Sequence, residues 1–299
     1  MRLLEEYIST VRELGMQIHS IHVEQDGQLL DEAFLVGDNL HILNSLSKIF
    51  TITAIGILYD QGRLRLEDRV IDFFPEECPA VVSDNLSKLQ VRNLLTMTSG
   101  HRLAILFEHQ RPFIQEKNWA KYYLSIPFEL PPGQFFVYDG GDTYMLSNIV
   151  QEITGQTTAV FLKEHFFDRV GITEYRWDVC PRGVTLGANG LYLHGRDILK
   201  LGEVYRNHGV YRQERILSED FTRQAISPQI SIPPAASTVG TAYGYHFTDQ
   251  GNGVWAAAGA QGQLCILCPD KRLNISCTAN VPDMNLQMYY IKRLVIDRL

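Results

Sequence analysis

Ser45-Leu46-Ser47-Lys48 is the one Ser-x-x-Lys in the chain. A serine hydroxyl becomes a useful nucleophile only when a neighbouring group takes its proton. Three residues apart on a helix, the two side chains stand one turn apart on the same face, so the Lys48 amine comes within reach of the Ser45 hydroxyl. The apolar run that follows predicts that Ser45 lies where a loop enters a helix. There the free backbone N–H groups and the helix dipole favour developing negative charge. A lysine so placed can accept the hydroxyl proton if burial or its neighbours destabilise the ammonium. By composition a chain of this length holds about one such tetrapeptide, so the spacing alone is weak. Taken alone, the four residues read more simply as an N-cap serine and a solvated lysine.

Other candidate chemistry reads as structure. Cys265 and Cys268 have Cys-x-x-Cys spacing, but they sit in the apolar run Gln-Leu-Cys-Ile-Leu-Cys. On a strand, residues three apart point to opposite faces, so the sulfurs diverge. No second Cys or His pair completes a four-ligand set. Gly251-Asn-Gly-Val-Trp-Ala256 matches the dinucleotide fingerprint in form, yet no helix pattern follows it, and a hairpin turn is expected instead. The nine histidines include no His-Glu-x-x-His and no helix-face metal pair.

The elements that must hold these residues follow from periodicity. Residues 1–15 carry a helical apolar stripe ended by Gly15. Residues 18–23 and 29–36 read as strands joined through Asp26-Gly27, a hairpin signal. Residues 45–59 read as a helix with a broad apolar face. Residues 65–180 show mostly helical patterns broken by Pro and Gly, and 227–240 read as a loop. Strand patterns return at 242–248, 254–258, 263–268 and 273–278, and 286–299 are helical again. Strands at both ends of the chain with a helical middle predict an α/β fold of α+β type: one antiparallel sheet formed by both chain ends, with flanking helices and an inserted helical region. No repeat or linker marks a second domain. One domain over 1–299 is expected, with a sheet part of roughly 1–40 and 215–299 and a helical part of roughly 41–214.

Composition narrows the function. The chain has 299 residues, 45% hydrophobic, 20% charged, with a formal net charge of −7. Its basic residues are scattered, so nucleic acid is not expected as a partner. No stretch approaches the apolar length of a membrane span. Acidic residues at Glu5 and Glu6 interrupt the place where a signal peptide carries its apolar run, so a cytoplasmic location is expected. Five cysteines, an odd number, argue against a closed disulfide framework.

Four segments in order resemble the serine β-lactamase-like, penicillin-recognising hydrolases, especially class C enzymes and their esterase and peptidase relatives. They are Ser45-Leu-Ser-Lys with the helix after it; Val91-Arg-Asn-Leu-Leu-Thr-Met-Thr-Ser-Gly100-His101; Pro132-Gly-Gln-Phe-Phe-Val-Tyr138 with Leu146 to Gly155; and Gly190-Leu-Tyr-Leu with Arg196 to Gly202. The resemblance spans about 18–280. It implies Ser45 as nucleophile, Lys48 as its hydrogen-bonded partner, and Tyr138 as the phenol that shuttles a proton. It also implies an oxyanion hole of the Ser45 and Ala260 amides. The substrate is expected to be a small molecule, with no metal and no cofactor. His101 and His194 border the site so drawn.

Two positions depart from the family pattern. The Asn of its Tyr-x-Asn motif falls on Gly140, and its Lys-Thr-Gly strand falls on Ala257-Ala258-Gly259. Gly140, Ala258 and Gly259 are therefore the expected substrate-binding positions, with Gly259 leaving room for substrate along the strand edge. A carboxamide and a cation that would hold an amide substrate with a carboxylate are missing. Hydrolysis of small esters is expected ahead of peptide or β-lactam cleavage. A catalytically degenerate binding protein and a small-molecule acyltransferase remain open alternatives, as does the oligomeric state.

Overall fold

A computed structural model describes residues 2–233 and 240–299. Helix Glu5–Glu13 buries Tyr7 and Val11. Strands β1 (Gln17–Gln25) and β2 (Gln28–Phe34) form the expected hairpin. Both turn residues, Asp26 and Gly27, have positive φ (56° and 75°), the backbone that matches the twist of the flanking strands. β3 (His41–Ile42), β4 (Arg176–Trp177) and β5 (Leu191–Leu193) make a small sheet in the order β3-β5-β4. β6 (Val210–Tyr211) and β7 (Glu214–Arg215) form a two-stranded ribbon.

The chain then returns through β8 (Ile230–Ser231), β9 (Ala242–Tyr243), β10 (Thr248–Asp249), β11 (Trp255–Gly259), β12 (Gln263–Cys268) and β13 (Leu273–Asn280). With β1 and β2 they build one eight-stranded sheet, in the order β2-β1-β13-β12-β11-β10-β9-β8. Every neighbouring pair is antiparallel. β13 lies beside β1, so the two ends of the chain share the sheet, as the periodicity predicts.

Each face of the sheet has its own core. On one, Tyr7 and Val11 of the first helix and Met288 and Ile291 of helix Met284–Leu294 pack with Ile266 and Ile275. On the other lies helix Gly195–Arg206, which contacts β1, β12 and β13. A Cβ at Gly202 would collide with the Asn274 carboxamide. That close approach lets Asn274 Nδ2 donate to the Leu199 carbonyl at 2.7 Å. Cys265 belongs to the core on this side and Cys268 to the opposite one, so the two sulfurs diverge as alternation requires. Burial pushes both thiols up to about 12.

Helix Lys48–Asp60 runs through the second core, buried at every residue from Lys48 to Leu58. It packs against helix Gly140–Thr154. Four expectations need correction. Residues 44–47 form a 3-10 turn, and the α-helix begins at Lys48 rather than at Ser45. The stretch expected to be helical at 65–180 contains long irregular segments, including 97–110, whose polar backbone is satisfied by side chains such as Asp139 and Gln110. Ile230 and Ser231, read as loop, form an edge strand on β9; residues 234–239 of that segment lie outside the described residues. The run 242–248 is two short strands around a tight turn, closed by Gly244 N–H to Phe247 O at 2.8 Å. Among the described residues, no helix is long and apolar enough to cross a membrane.

Candidate active site

Ser45 is set by the small sheet. Leu43 N–H donates to the Leu191 carbonyl at 2.8 Å, and Asn44 then adopts a left-handed backbone (φ 48°), which asparagine tolerates better than most residues. The Ser47 hydroxyl donates to the Asn44 carbonyl (2.7 Å) and accepts from Leu191 N–H (3.2 Å), closing the turn. In a 3-10 turn residues three apart eclipse one another. Lys48 therefore stands directly over Ser45, and its Nζ donates to Ser45 Oγ at 3.0 Å. The same Nζ donates to the Ala188 carbonyl at 2.9 Å. Lys48 is only 3% exposed. Ala188 is presented by a turn in which Gly187 and Gly190 both have positive φ, with Thr51 Oγ1 donating to the Gly187 carbonyl at 3.0 Å. Ala188 is a partner that no local motif identifies.

Tyr138 reaches the same place from another segment. Val137 N–H is held by the Met97 carbonyl at 2.9 Å. Asp139 caps helix Gly140–Thr154 by accepting from Gly141 N–H. The Lys48 Nζ lies 4.9 Å from the centre of the Tyr138 ring. Among the described residues, the Tyr138 hydroxyl makes no hydrogen bond to Ser45 or Lys48. The amine lies over the face of the Tyr138 ring.

The third wall is the end of β11. β10 pairs with β11 only at Trp255 and Ala256, leaving the edge at Ala257–Gly259 open toward the cleft. Ala258 and Ala260 line that cleft, whereas the Ala257 side chain points into the helical-side core. The Ala260 carbonyl accepts from Asn44 Nδ2 at 2.8 Å and from Gln263 Nε2 at 3.3 Å, tying the strand end to the Ser45 turn. A Cβ at Gly259 would fall closer than 3.0 Å to the Leu43 carbonyl oxygen and 2.9 Å from Leu46 N. The glycine thus lets the strand dock on the Ser45 turn; the room it makes is taken up by the protein's own backbone. Gly140 is also corrected: it is buried against the Ile105 and Leu106 carbonyls and does not line the cleft.

These walls enclose a cleft of about 390 Å³. Besides Ser45 and Lys48 its lining includes Phe107, Phe136, Ile232, Tyr243 and Met284. Among the described lining residues Lys48 is the only lysine or arginine, and no carboxylate is present. His246 lines the cleft with a left-handed backbone (φ 60°). Its Nδ1 hydrogen-bonds to the Tyr243 hydroxyl at 2.7 Å, and Nε2 lies 3.5 Å from Thr143 Oγ1. Burial first and then the nearby Lys48 push its pKa well below the ordinary value, leaving a neutral imidazole. Sequence reasoning missed His246 because it was placed inside a continuous strand. His101 and His194 do not line the cleft. His101 is buried beside Asp139, and His194 bonds to Asp38 and Glu174 near the surface.

Solved structures share this fold. A penicillin-binding protein homologue from Pyrococcus abyssi, described as octameric, superposes with a TM-score of 0.78 at 19% identity, covering 98% of this chain and 76% of that one. A family VIII carboxylesterase gives 0.78 at 14% identity, covering 99% and 97%. A hydrolase with promiscuous acyltransferase activity gives 0.78 at 16% identity, covering 98% of each chain. Similarity at this level speaks for the fold alone. The sequence itself matches the Beta-lactamase family over residues 11–296, and with nearly its whole length inside that match the chain belongs to the Beta-lactamase family.

Proposed function

We propose that this chain is a serine hydrolase that forms an acyl-enzyme on Ser45 and acts on small neutral esters. The observation that carries this is the 3.0 Å hydrogen bond from Lys48 Nζ to Ser45 Oγ at the base of an apolar cleft. Ser45 Oγ attacks the substrate carbonyl as its proton passes toward the Lys48 amine. The oxyanion is held by the Ser45 and Ala260 N–H groups, on two segments that the Asn44 side chain ties together through the Ala260 carbonyl. Expulsion of the alcohol, protonated from Lys48 or the Tyr138 phenol, leaves the acyl-enzyme, and water then releases the acid.

The cleft favours neutral substrates. One missing charge-assisted contact is worth about 1.5–3 kcal/mol, or about 10–150-fold. With no cation beyond Lys48 in the described lining, substrates bearing a carboxylate lose that contact. The folds described as a carboxylesterase and as a hydrolase with acyltransferase activity fit this reading.

The test is intact-mass labelling with a fluorophosphonate, together with turnover of p-nitrophenyl butyrate and a cephalosporin. One adduct mapped to Ser45, ester turnover and slow cephalosporin opening are expected. Equal labelling of Ser45→Ala would remove Ser45 from the mechanism. Cephalosporin turnover in the ordinary enzyme range, about 10⁴–10⁸ M⁻¹s⁻¹ in kcat/KM, would show that the substrate class is misassigned.

A further inference from the structure

Behind the Tyr138 segment, His101, Asp139 and Asp142 meet in the interior, each 1% exposed or less. Asp139 Oδ1 accepts from Ile105 N–H (2.9 Å) and Gly141 N–H (2.7 Å), and Asp142 Oδ1 accepts from the Tyr123 hydroxyl (2.7 Å). The Ser99 hydroxyl also lies against the Asp142 carboxyl, but the second oxygen of each carboxylate and both ring nitrogens of His101 have no well-formed hydrogen bond. One potential ligand atom from each residue lies within 4.8 Å of the other two, and His101 Nδ1 is 3.7 Å from Asp139 Oδ2. No lysine or arginine pairs with either carboxylate among the described residues.

Two buried carboxylates side by side repel each other and lose hydration worth several kcal/mol per ion. A single imidazole, itself without a hydrogen bond, balances at most one of them, and either a proton on Asp142, which burial and then Asp139 favour, or a bound cation offsets the other. The His101 ring is wedged against Phe128 (4.0 Å between centres) and against the edge of Tyr123 (4.6 Å), so it cannot swing out to solvent. Gly141 has no side chain because a Cβ there would lie 2.7 Å from the Tyr123 ring; its absence lets Tyr123 reach Asp142. The packing thus holds the three side chains together in the interior.

We propose that His101, Asp139 and Asp142 bind one divalent transition-metal ion, in a structural site distinct from the cleft. One nitrogen and two carboxylate oxygens suit zinc or manganese, at about 2.0–2.2 Å from each donor. An ion at that distance draws tetrahedral donors to roughly 3.5 Å apart, which needs side-chain closure of about an ångström from the present spacing. The ion would join the chain at His101 to the first turn of helix Gly140–Thr154, with Asp139 adjacent to Tyr138. It would act on the reaction only by holding Tyr138 in place.

The test uses the whole chain, purified without chelator, with first-row metals counted by plasma mass spectrometry. About one ion per chain is expected. Dialysis against a strong chelator should lower Tm, and added Zn²⁺ or Mn²⁺ should restore it. Asp142→Asn keeps the shape and an acceptor for Tyr123 but removes a ligand charge. It should fold, lose the ion and no longer respond to added metal; His101→Gln should do the same. Wild type with under about a tenth of an equivalent, and no change in Tm on adding Zn²⁺ or Mn²⁺, would overturn the proposal. So would Asp142→Asn retaining the full metal content, since the ion would then lie elsewhere.

Discussion

Gly259→Ala tests how the site is assembled. The added Cβ falls inside 3.0 Å of the Leu43 carbonyl oxygen and 2.9 Å from Leu46 N, both of them backbone atoms that cannot rotate away. To recover ordinary contact of 3.4–4 Å, β11 must retreat from the Ser45 turn by more than an ångström. Overpacking of this kind costs about 1–3 kcal/mol, which for a chain of this size is a fall in Tm of several degrees. The retreat also separates the Ala260 amide from Ser45 and stretches the 2.8 Å bond from Asn44 Nδ2 to the Ala260 carbonyl. A displacement of about 1 Å at reacting groups can cost about 10²-fold, as does the loss of one oxyanion donor. The assay is kcat for p-nitrophenyl butyrate beside a thermal melt and the rate of fluorophosphonate labelling. All three should fall together. If Gly259→Ala keeps the wild-type Tm and kcat while KM alone rises, the glycine makes room for substrate, and the docking argument fails.

Three further outcomes follow from the geometry. Lys48→Met keeps most of the stem and deletes the amine bonded to Ser45, so ester turnover should drop about 10²–10⁴-fold with the circular dichroism spectrum unchanged. Tyr138→Phe keeps the ring that faces Nζ; a loss of about 10²-fold would fit the phenol as proton shuttle, and full activity on every ester would make Tyr138 a packing residue. Glu24, whose carboxyl is pushed up to about 7 by burial and then by Glu203, binds its proton more tightly folded than unfolded. Its contribution to stability is therefore present below pH 4.5, the ordinary carboxyl value, and is lost as pH rises through about 7. Urea melts of wild type and Glu24→Gln should diverge by about 1–3 kcal/mol across that window; parallel stabilities would show that Glu24 ionises normally.

Much of the fold was legible because it is local or periodic. Asp26-Gly27 marks a hairpin by its own backbone preference, and it forms one. The apolar run of residues 263–268 reads as a strand, and β12 occupies those residues. Ser45 and Lys48 are three residues apart, so any helical turn brings them together, and the 3-10 turn changes only how directly they stack. The family is legible for the same reason, as four short segments in order.

What the tertiary structure decided is every contact between residues far apart in the chain. The second partner of Lys48 is a carbonyl 140 positions away. His246 enters the cleft only because its strand breaks at a tight turn. Gly140 and Gly259 fall at expected substrate-binding positions, but the Ile105 and Leu106 carbonyls stand beside the first and the Leu43–Leu46 backbone occupies the space beside the second. A glycine's identity says that something comes close; which group comes close depends on how the segments pack. His101, Asp139 and Asp142 show no metal-binding spacing along the chain, and only the packing of two separate segments brings them within 4.8 Å of one another.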